Sequence, residues 1–379
     1  MRVIKSIFVG VIIVLFGGCS DDQAQDVAIS SVEKEVEKPF NIIFLVGDGM
    51  GLSQLSTAYF YGEAEPNFSR FPIVGLSKTR SGSHKITDSA AGATAFSCGE
   101  KTYNGAIGVA LDSSSKPTIV EDLSVLGWNT GLVSTSSITH ATPASFYAHV
   151  ENRGMQEEIA KQLVYSDVDF FAGGGHRWFV DRLDSLNYWD SLIDQGFVLD
   201  TSSLYTEWTG GDLKPAYLMA PDGMTPKYQG RDEFLPDATQ KAIDHLSSKG
   251  ESFFLMVEGS QIDWGGHSNN GEYLIQEVLD FDKAIGKALD FAEKQGNTLV
   301  VVTADHECGG FAMVSERKEG PYKRVYNDYN SLVSKFATDG HSSTMVPVLS
   351  FGAGSNLFNG IYENTEIYQN FLEVTGLKE

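Results

Sequence analysis

Acidic and histidine residues stand where the apolar runs of this chain stop. Asp48 ends NIIFLVGDGMG, Glu258 and Asp263 follow FFLMVEGSQID, and Asp305 and His306 end TLVVVTADHE. His267 and His341 complete the set, and Ser89, in TDSAAGATAF, opens a helix-like segment. Carboxylates and imidazoles are donors for zinc, and oxygen donors suit magnesium. Three histidines beside these carboxylates form a ligand set for two or three cations in one site. A serine coordinated to a cation can lose its proton and attack as a nucleophile. Together the residue types point to a metal-dependent hydrolase with a serine nucleophile.

The segment MVEGSQIDWGGHSNN is the strongest. Glu258, Asp263 and His267 are spaced five and four apart, and Gly259, Gly265 and Gly266 bend the chain so that all three can face one pocket. Asp48 lies between Gly47 and Gly49 and reads equally as a metal-bridging carboxylate or as the N-cap of a helix starting near Leu52. Ser89 is followed by Ala90, Ala91, Gly92 and Ala93, which allow close packing at a helix start that favours an anion. It too reads as an N-cap or as a nucleophile, and the chain has no GxSxG elbow to support a Ser-His-Asp hydrolase. Asp305 and His306 would point to opposite faces of a strand, but a turn at Gly309–Gly310 lets both reach one cation. The stretch ITHATPASFYAHVENRG supplies His140, Thr142, His149 and Arg153. The planar fork of Arg153 suits two phosphate oxygens, whereas His149 reads as structural.

Such scattered residues need a scaffold that gathers them. Apolar, β-rich runs recur at 41–46, 131–135, 168–172, 252–258, 298–303 and 346–351, separated by helix-like stretches at 52–61, 89–97, 118–126, 155–165, 236–248 and 272–294. The alternation predicts an α/β fold, a three-layer sandwich whose mostly parallel central sheet is covered on both faces. The carboxyl ends of parallel strands lie along one edge, where ligand sites form. Two segments break the pattern. Residues 174–235 are expected to form an excursion over the sheet edge, and 315–336 a loop or hairpin just before His341. Residues 40–379 are expected to form a single catalytic domain.

With 379 residues, 42% of them hydrophobic, the chain can bury one large core. Its net charge of −22 argues against a nucleic-acid partner, since phosphate backbones need basic patches. An anionic substrate must then be drawn by local positive charge, which metal ions supply. Residues 1–19 read as an export signal, with Arg2 and Lys5 before an apolar stretch, and Cys19 after Gly17-Gly18 resembles the lipidated cysteine of a bacterial lipobox. An ordinary cleaved signal is the alternative. Loss of the leader would take the charge to about −24. Residues 20–39 read as a flexible tether, so the mature protein is expected in the periplasm or on the outer membrane, and the acidic SDD after Cys19 is compatible with surface display. Cys98 and Cys308 could form one disulfide or stay two isolated thiols, and Cys308, two residues past His306, is also near enough in sequence to be a zinc ligand.

Taken in order, VGDGMG, TDSAAGATA, KTYNGAIGV, HATPASFYAHVENR, EGSQIDWGGH, TADHECGGF and DGHSST resemble the alkaline phosphatase family from about residue 41 to the C-terminus. The resemblance implies hydrolysis of phosphate monoesters through a phosphoserine on Ser89, with a broad substrate range and an alkaline optimum. It implies one zinc ion on Asp263, His267 and His341 and a second on Asp48, Asp305 and His306. A third site on Asp48, Thr142 and Glu258 would take magnesium. Arg153 matches the phosphate-binding arginine, Asp88 the residue that orients it, and a homodimer is implied. Two positions depart from the best-known bacterial members: His140 replaces an aspartate near the third site, and Trp264 replaces a lysine that reaches phosphate through water. An imidazole prefers zinc, so zinc is the alternative third cation. Rival readings are a phosphodiesterase or phosphonate hydrolase of the same superfamily, and a non-catalytic phosphate- or metal-binding lipoprotein. Arg153, a clamp for a dianionic monoester, and the complete ligand set with a placed serine argue against them.

Overall fold

The structure, a computed structural model, describes residues 40–206 and 213–378. The leader, Cys19 and the tether expected at 1–39 lie outside the described residues. Fourteen strands are found among those described: β1 Asn41–Gly47, β2 Ile73–Lys78, β3 Asn129–Ser137, β4 Phe170–Gly174, β5 Phe197–Asp200, β6 Lys214–Leu218, β7 Phe253–Gly259, β8 Thr298–Thr303, β9 Glu307–Cys308, β10 Ala312–Glu319, β11 Val325–Lys335, β12 His341–Ser342, β13 Val346–Gly352 and β14 Gly360–Glu363. Ten form one sheet in the order β14-β2-β13-β8-β1-β7-β3-β4-β6-β5. Only β13 runs against its neighbours; every other pairing in this sheet is parallel.

The apolar runs NIIFLVG, FFLMVEG and TLVVVT are buried along their whole length, as central parallel strands covered on both faces must be. Alternate residues of β1 serve opposite layers. Ile42, Phe44 and Val46 pack into one core with Ala93 and Phe96 of the helix Ser89–Cys98 and with Phe371 near the C-terminus. Ile43 and Leu45 pack into the other, with Ala238 and Ile243 of the helix Phe234–Ser248 and with Leu274, Val278, Phe281, Ile285 and Leu289. The last five lie at helical spacing on Gly271–Gln295, which Asn270 caps by accepting from Tyr273 N. No described helix is long and apolar enough to cross a membrane.

Several segments differ from expectation. Rather than lying over the sheet edge, the segment 174–235 extends it: β6 and β5 pair in parallel beyond β4. The stretch 315–336 takes the hairpin form, one of the two expected: 315–335 lie in the antiparallel pair β10–β11, which turns through Tyr322 and Lys323 in the left-handed region. The edge strand β14 and its neighbour β2 are not marked by the sequence. The pattern of β2 is broken by Gly75, where a Cβ would stand 2.3 Å from Phe358 O. Cys98 and Cys308 are both free and buried, which selects the isolated thiols.

Candidate metal centre and active site

The four central strands β8, β1, β7 and β3 place the site. Val46 lies level with Glu258 on one side and Thr303 on the other, and Ser134 is level with Glu258. Asp48 and Asp305 follow at the same carboxyl edge. Gly49, at φ +74, turns the chain there, and a Cβ on it would stand 2.8 Å from Asp263 Cα, so only glycine admits so close an approach. Asp48 caps no helix. The helix Leu52–Tyr61 has Gly51 at that position, and both Asp48 carboxylate oxygens are buried without a hydrogen-bond partner.

Three groups of ligand atoms converge, each within 4.8 Å. The first joins Asp263, His267 and His341 with Cys308. Antiparallel pairing of β12 with β9 sets His341 opposite Cys308. Asp263 Oδ2 lies 3.3 Å from His267 Nε2 and Oδ1 lies 3.5 Å from His341 Nε2. Cys308 is thus beside the expected ligands, and burial together with the Asp263 charge pushes its thiol far up, keeping the proton on sulfur.

The second group holds Asp48, Asp263 and His306. His306 Nε2 is 3.2 Å from Asp305 Oδ2, 3.5 Å from Asp48 Oδ1 and 3.3 Å from Ser89 Oγ. Asp305 Oδ1 accepts from Gly49 N and His306 N, which leaves Oδ2 bare. Ser89 is not the cap of its helix. Asp88 takes that place, its Oδ1 accepting from Ala91 N, and the Ser89 hydroxyl faces the histidine instead.

The third group is Asp48, His140 and Glu258. Glu258 Oε2 accepts from the hydroxyls of Ser134 at 2.6 Å, Ser260 at 2.6 Å and Ser136 at 3.3 Å, while Oε1 is buried and bare. Thr142 is also buried, its hydroxyl directed toward Glu258. The three serines escaped the sequence reading. The run STSS at 134–137 is a visible signal, but its aim depends on the β3–β7 register.

Beside these groups stands Arg153. Asp88 Oδ2 accepts from Arg153 Nη1 at 3.1 Å and from Gly105 N at 3.0 Å, so one aspartate both caps the helix of Ser89 and aims the guanidinium. Arg153 Nη2 donates to His140 Nε2 at 3.2 Å, and the His140 ring meets the Trp264 ring edge-on, centroids 6.0 Å apart. Every residue that the sequence marked as a candidate is therefore gathered in one place except His149, which pairs with Glu121 and the Gly108 carbonyl.

Charge explains what this cluster is fit to hold. Burial and the nearby Asp305, Asp263 and Glu258 push the Asp48 carboxyl well up; burial and Asp263 raise Asp305 to about 7; burial raises Glu258 against its serine donors. Burial also acts upward on Asp263, but the hydrogen bond from His267, together with the histidines around it, outweighs burial and holds the group low. Burial and His341 keep His306 neutral, and burial with Arg153 takes His140 down to about 3. Bare buried carboxylate oxygens on Asp48, Glu258, Asp263 and Asp305 would be costly without a positive partner. Cations among them supply that partner, so the residues fit a multinuclear metal centre.

Known proteins carry the same pattern. Residues 40–333 match the alkaline phosphatase family. Relatives include alkaline phosphatase of Escherichia coli K12, 30% identical over 89% of this chain and 86% of its own length, and alkaline phosphatase 3 of Bacillus subtilis 168, 34% identical over 87% of each. The solved alkaline phosphatase of the Antarctic bacterium TAB5 is 50% identical, superposes with a TM-score of 0.86, and is covered over 98% of its length by 89% of this chain. Two variants of that enzyme, with a histidine replaced by glutamate or by aspartate, contain bound Mg. The match across most of the chain, on a sheet edge lined with metal-binding side chains, places this protein in the alkaline phosphatase family, whose reaction is the metal-dependent hydrolysis of phosphate monoesters.

Proposed function

We propose that Ser89 is the nucleophile of this hydrolysis and that Arg153 holds the phosphate. The observation that carries the reading is the Ser89 hydroxyl at a helix start, hydrogen-bonded to His306 Nε2 at 3.3 Å and among carboxylates with bare oxygens. Asp263, His267 and His341 would hold one zinc ion, and Asp48, Asp305 and His306 a second. Asp48, Thr142 and Glu258 would hold magnesium, because the one lone pair of neutral His140 is taken by Arg153 and only oxygen ligands are left. When bound, these cations would lower the pKa of the serine hydroxyl and of water and neutralise charge on phosphate.

Ser89 Oγ then attacks phosphorus in line with the leaving alkoxide. Arg153, aimed by Asp88, binds equatorial phosphate oxygens through its fork. The positive helix end at Ser89 favours the anion in both displacements. Water attacking from the side vacated by the leaving group cleaves the phosphoserine, so two in-line displacements retain configuration at phosphorus. Broad acceptance of alcohol groups, an alkaline optimum, a homodimer, and export with a lipid at Cys19 complete the proposal; they rest on the family resemblance and on residues 1–19.

The test compares matched aryl phosphate monoester and diester at alkaline pH, before and after chelation and the return of zinc and magnesium. Monoester turnover that is lost and then restored is expected, with labelled phosphate trapped on the native protein at low pH and not on Ser89→Ala. Phosphoenzyme in Ser89→Ala would overturn the assignment.

A further inference from the structure

The loop 220–225 belongs to the segment that the sequence marks only as an excursion, yet it reaches the active site from behind Trp264. A Cβ built on Gly223 would stand 2.4 Å from Trp264 Cη2 and 2.9 Å from Cζ3. Gly223 is not among the residues at positive φ, so alanine would fit the backbone there; the approach of the indole is what requires glycine. The same indole meets His140, and His140 accepts from Arg153.

The loop is pinned on both sides of Gly223. Met224 N donates to Thr135 O at 3.0 Å, and Gln261 Nε2 donates to both Thr135 O and Met224 O at 2.8 Å. Tyr273 holds Gln261 in turn, its hydroxyl donating to Oε1 at 2.7 Å. Upstream, Gly175 N donates to Ala220 O at 2.8 Å; downstream, buried Arg231 donates to Thr225 O at 3.1 Å while paired with Glu277 and Asp280. The ring is therefore the part that moves when volume is added.

We propose that Gly223 is a positioning residue of the phosphate site, acting through Trp264 and His140 on Arg153. A methyl at 223 shifts the indole relative to His140, which carries the acceptor that fixes one edge of the guanidinium. Misplacing a clamp that binds substrate and product phosphate alike weakens both, with little effect on the chemical step.

The experiment uses the metal-loaded full chain and the cycle of Gly223→Ala, Trp264→Ala and their combination. It reads kcat and KM for an aryl phosphate monoester and, by calorimetry, Kd for inorganic phosphate. Gly223→Ala is expected to raise KM and phosphate Kd together by several-fold with a smaller change in kcat. In the Trp264→Ala background the same substitution is expected to change neither. A native-like Gly223→Ala, or an equal effect in both backgrounds, would overturn the proposal. Should Gly223→Ala fail to fold, the double variant must fold, because the ring it collides with is gone; an unfolded double variant also overturns it. The inference rests on Arg153 binding phosphate, and Arg153→Ala with unchanged phosphate Kd would sink that reading separately.

Discussion

His267 and His341 face each other through the same ring nitrogen, their Nε2 atoms 3.1 Å apart. The other nitrogen of each ring faces a backbone carbonyl, Asp339 O at 2.6 Å for His267 and Thr87 O at 2.8 Å for His341. A carbonyl only accepts, so each Nδ1 carries a proton and the facing Nε2 atoms are left to share a proton or a cation. The hydrogen bond with Asp263 raises His267 to about 9, so in metal-free protein near neutral pH a proton occupies that place.

Loading the first metal group should therefore expel that proton. Calorimetric titration of chelator-stripped protein with zinc at pH 7, in buffers of different ionisation enthalpy, is expected to show about one proton released per chain from this pair. The transition temperature should rise on loading, by the equivalent of about 2.7 kcal/mol at a free zinc concentration one hundred times Kd. His341→Ala should lose most of both effects; zinc binding without proton release would contradict the pairing.

At the third group, His140→Asp is expected to favour magnesium. Neutral His140 has one lone pair and Arg153 uses it, whereas a carboxylate has acceptor capacity for the guanidinium and a hard cation together. The magnesium concentration giving half-maximal activation should fall, and metal analysis after dialysis should find more magnesium. Unchanged magnesium dependence would mean that position 140 does not bear on this site.

His149 supports the fold in a pH-dependent way. Its ring nitrogens face two acceptors, Glu121 Oε1 and Gly108 O, which requires the protonated ring. The hydrogen bond with Glu121 raises His149 above its ordinary 6.5, and that stability is complete below 6.5 and lost as pH rises through the raised value. Burial acts upward on Glu121 but is outweighed by His149, so its lowered carboxyl contributes above 4.5 and loses this as pH falls. The pair is complete from about pH 4.5 to 6.5. His149→Gln should cost up to about 1 kcal/mol at pH 6 and less at pH 9, the limit reflecting solvent screening of a partly exposed carboxylate. Urea unfolding at both pH values measures it, and equal losses would refute it.

Arg231 should be among the most sensitive positions away from the metals. Its side chain is 1% exposed, against 1% for Glu277 and 0% for Asp280. Arg231→Ala leaves buried Glu277 with no cationic partner and Asp280 with Lys227 alone, and is expected to cost about 3–5 kcal/mol in urea unfolding of the metal-loaded protein. A loss below about 1 kcal/mol would class the cluster with solvent-screened surface pairs.

Much of this was legible because β1, β7 and β8 are apolar throughout and end abruptly in chemistry-bearing residues. Asp, His and Glu at those ends declare themselves by type. Asp88 could be matched to a family role, but its second task as helix cap shows only once Ser89 is seen at the first helical position. Ser134, Ser136 and Ser260 were hidden because serine is common and their convergence on Glu258 depends on strand register. Strands β5 and β6 are four and five residues long, too short to set a period. Gly223 carries no side chain, so nothing in its own chemistry marks it.

Asp48, Glu258 and Asp305 leave three neighbouring strands within two residues of one common level. Adjacent strands lie about 4.8 Å apart, and cations in paired sites about 3.5–4 Å apart. The spacing of these three carboxylates is thus set by main-chain hydrogen bonds. Exchanging one of these carboxylates would then change the affinity of a bound cation while the sheet keeps the remaining oxygens in place. An enzyme built this way can change its metal diet without relocating the phosphorus it works on.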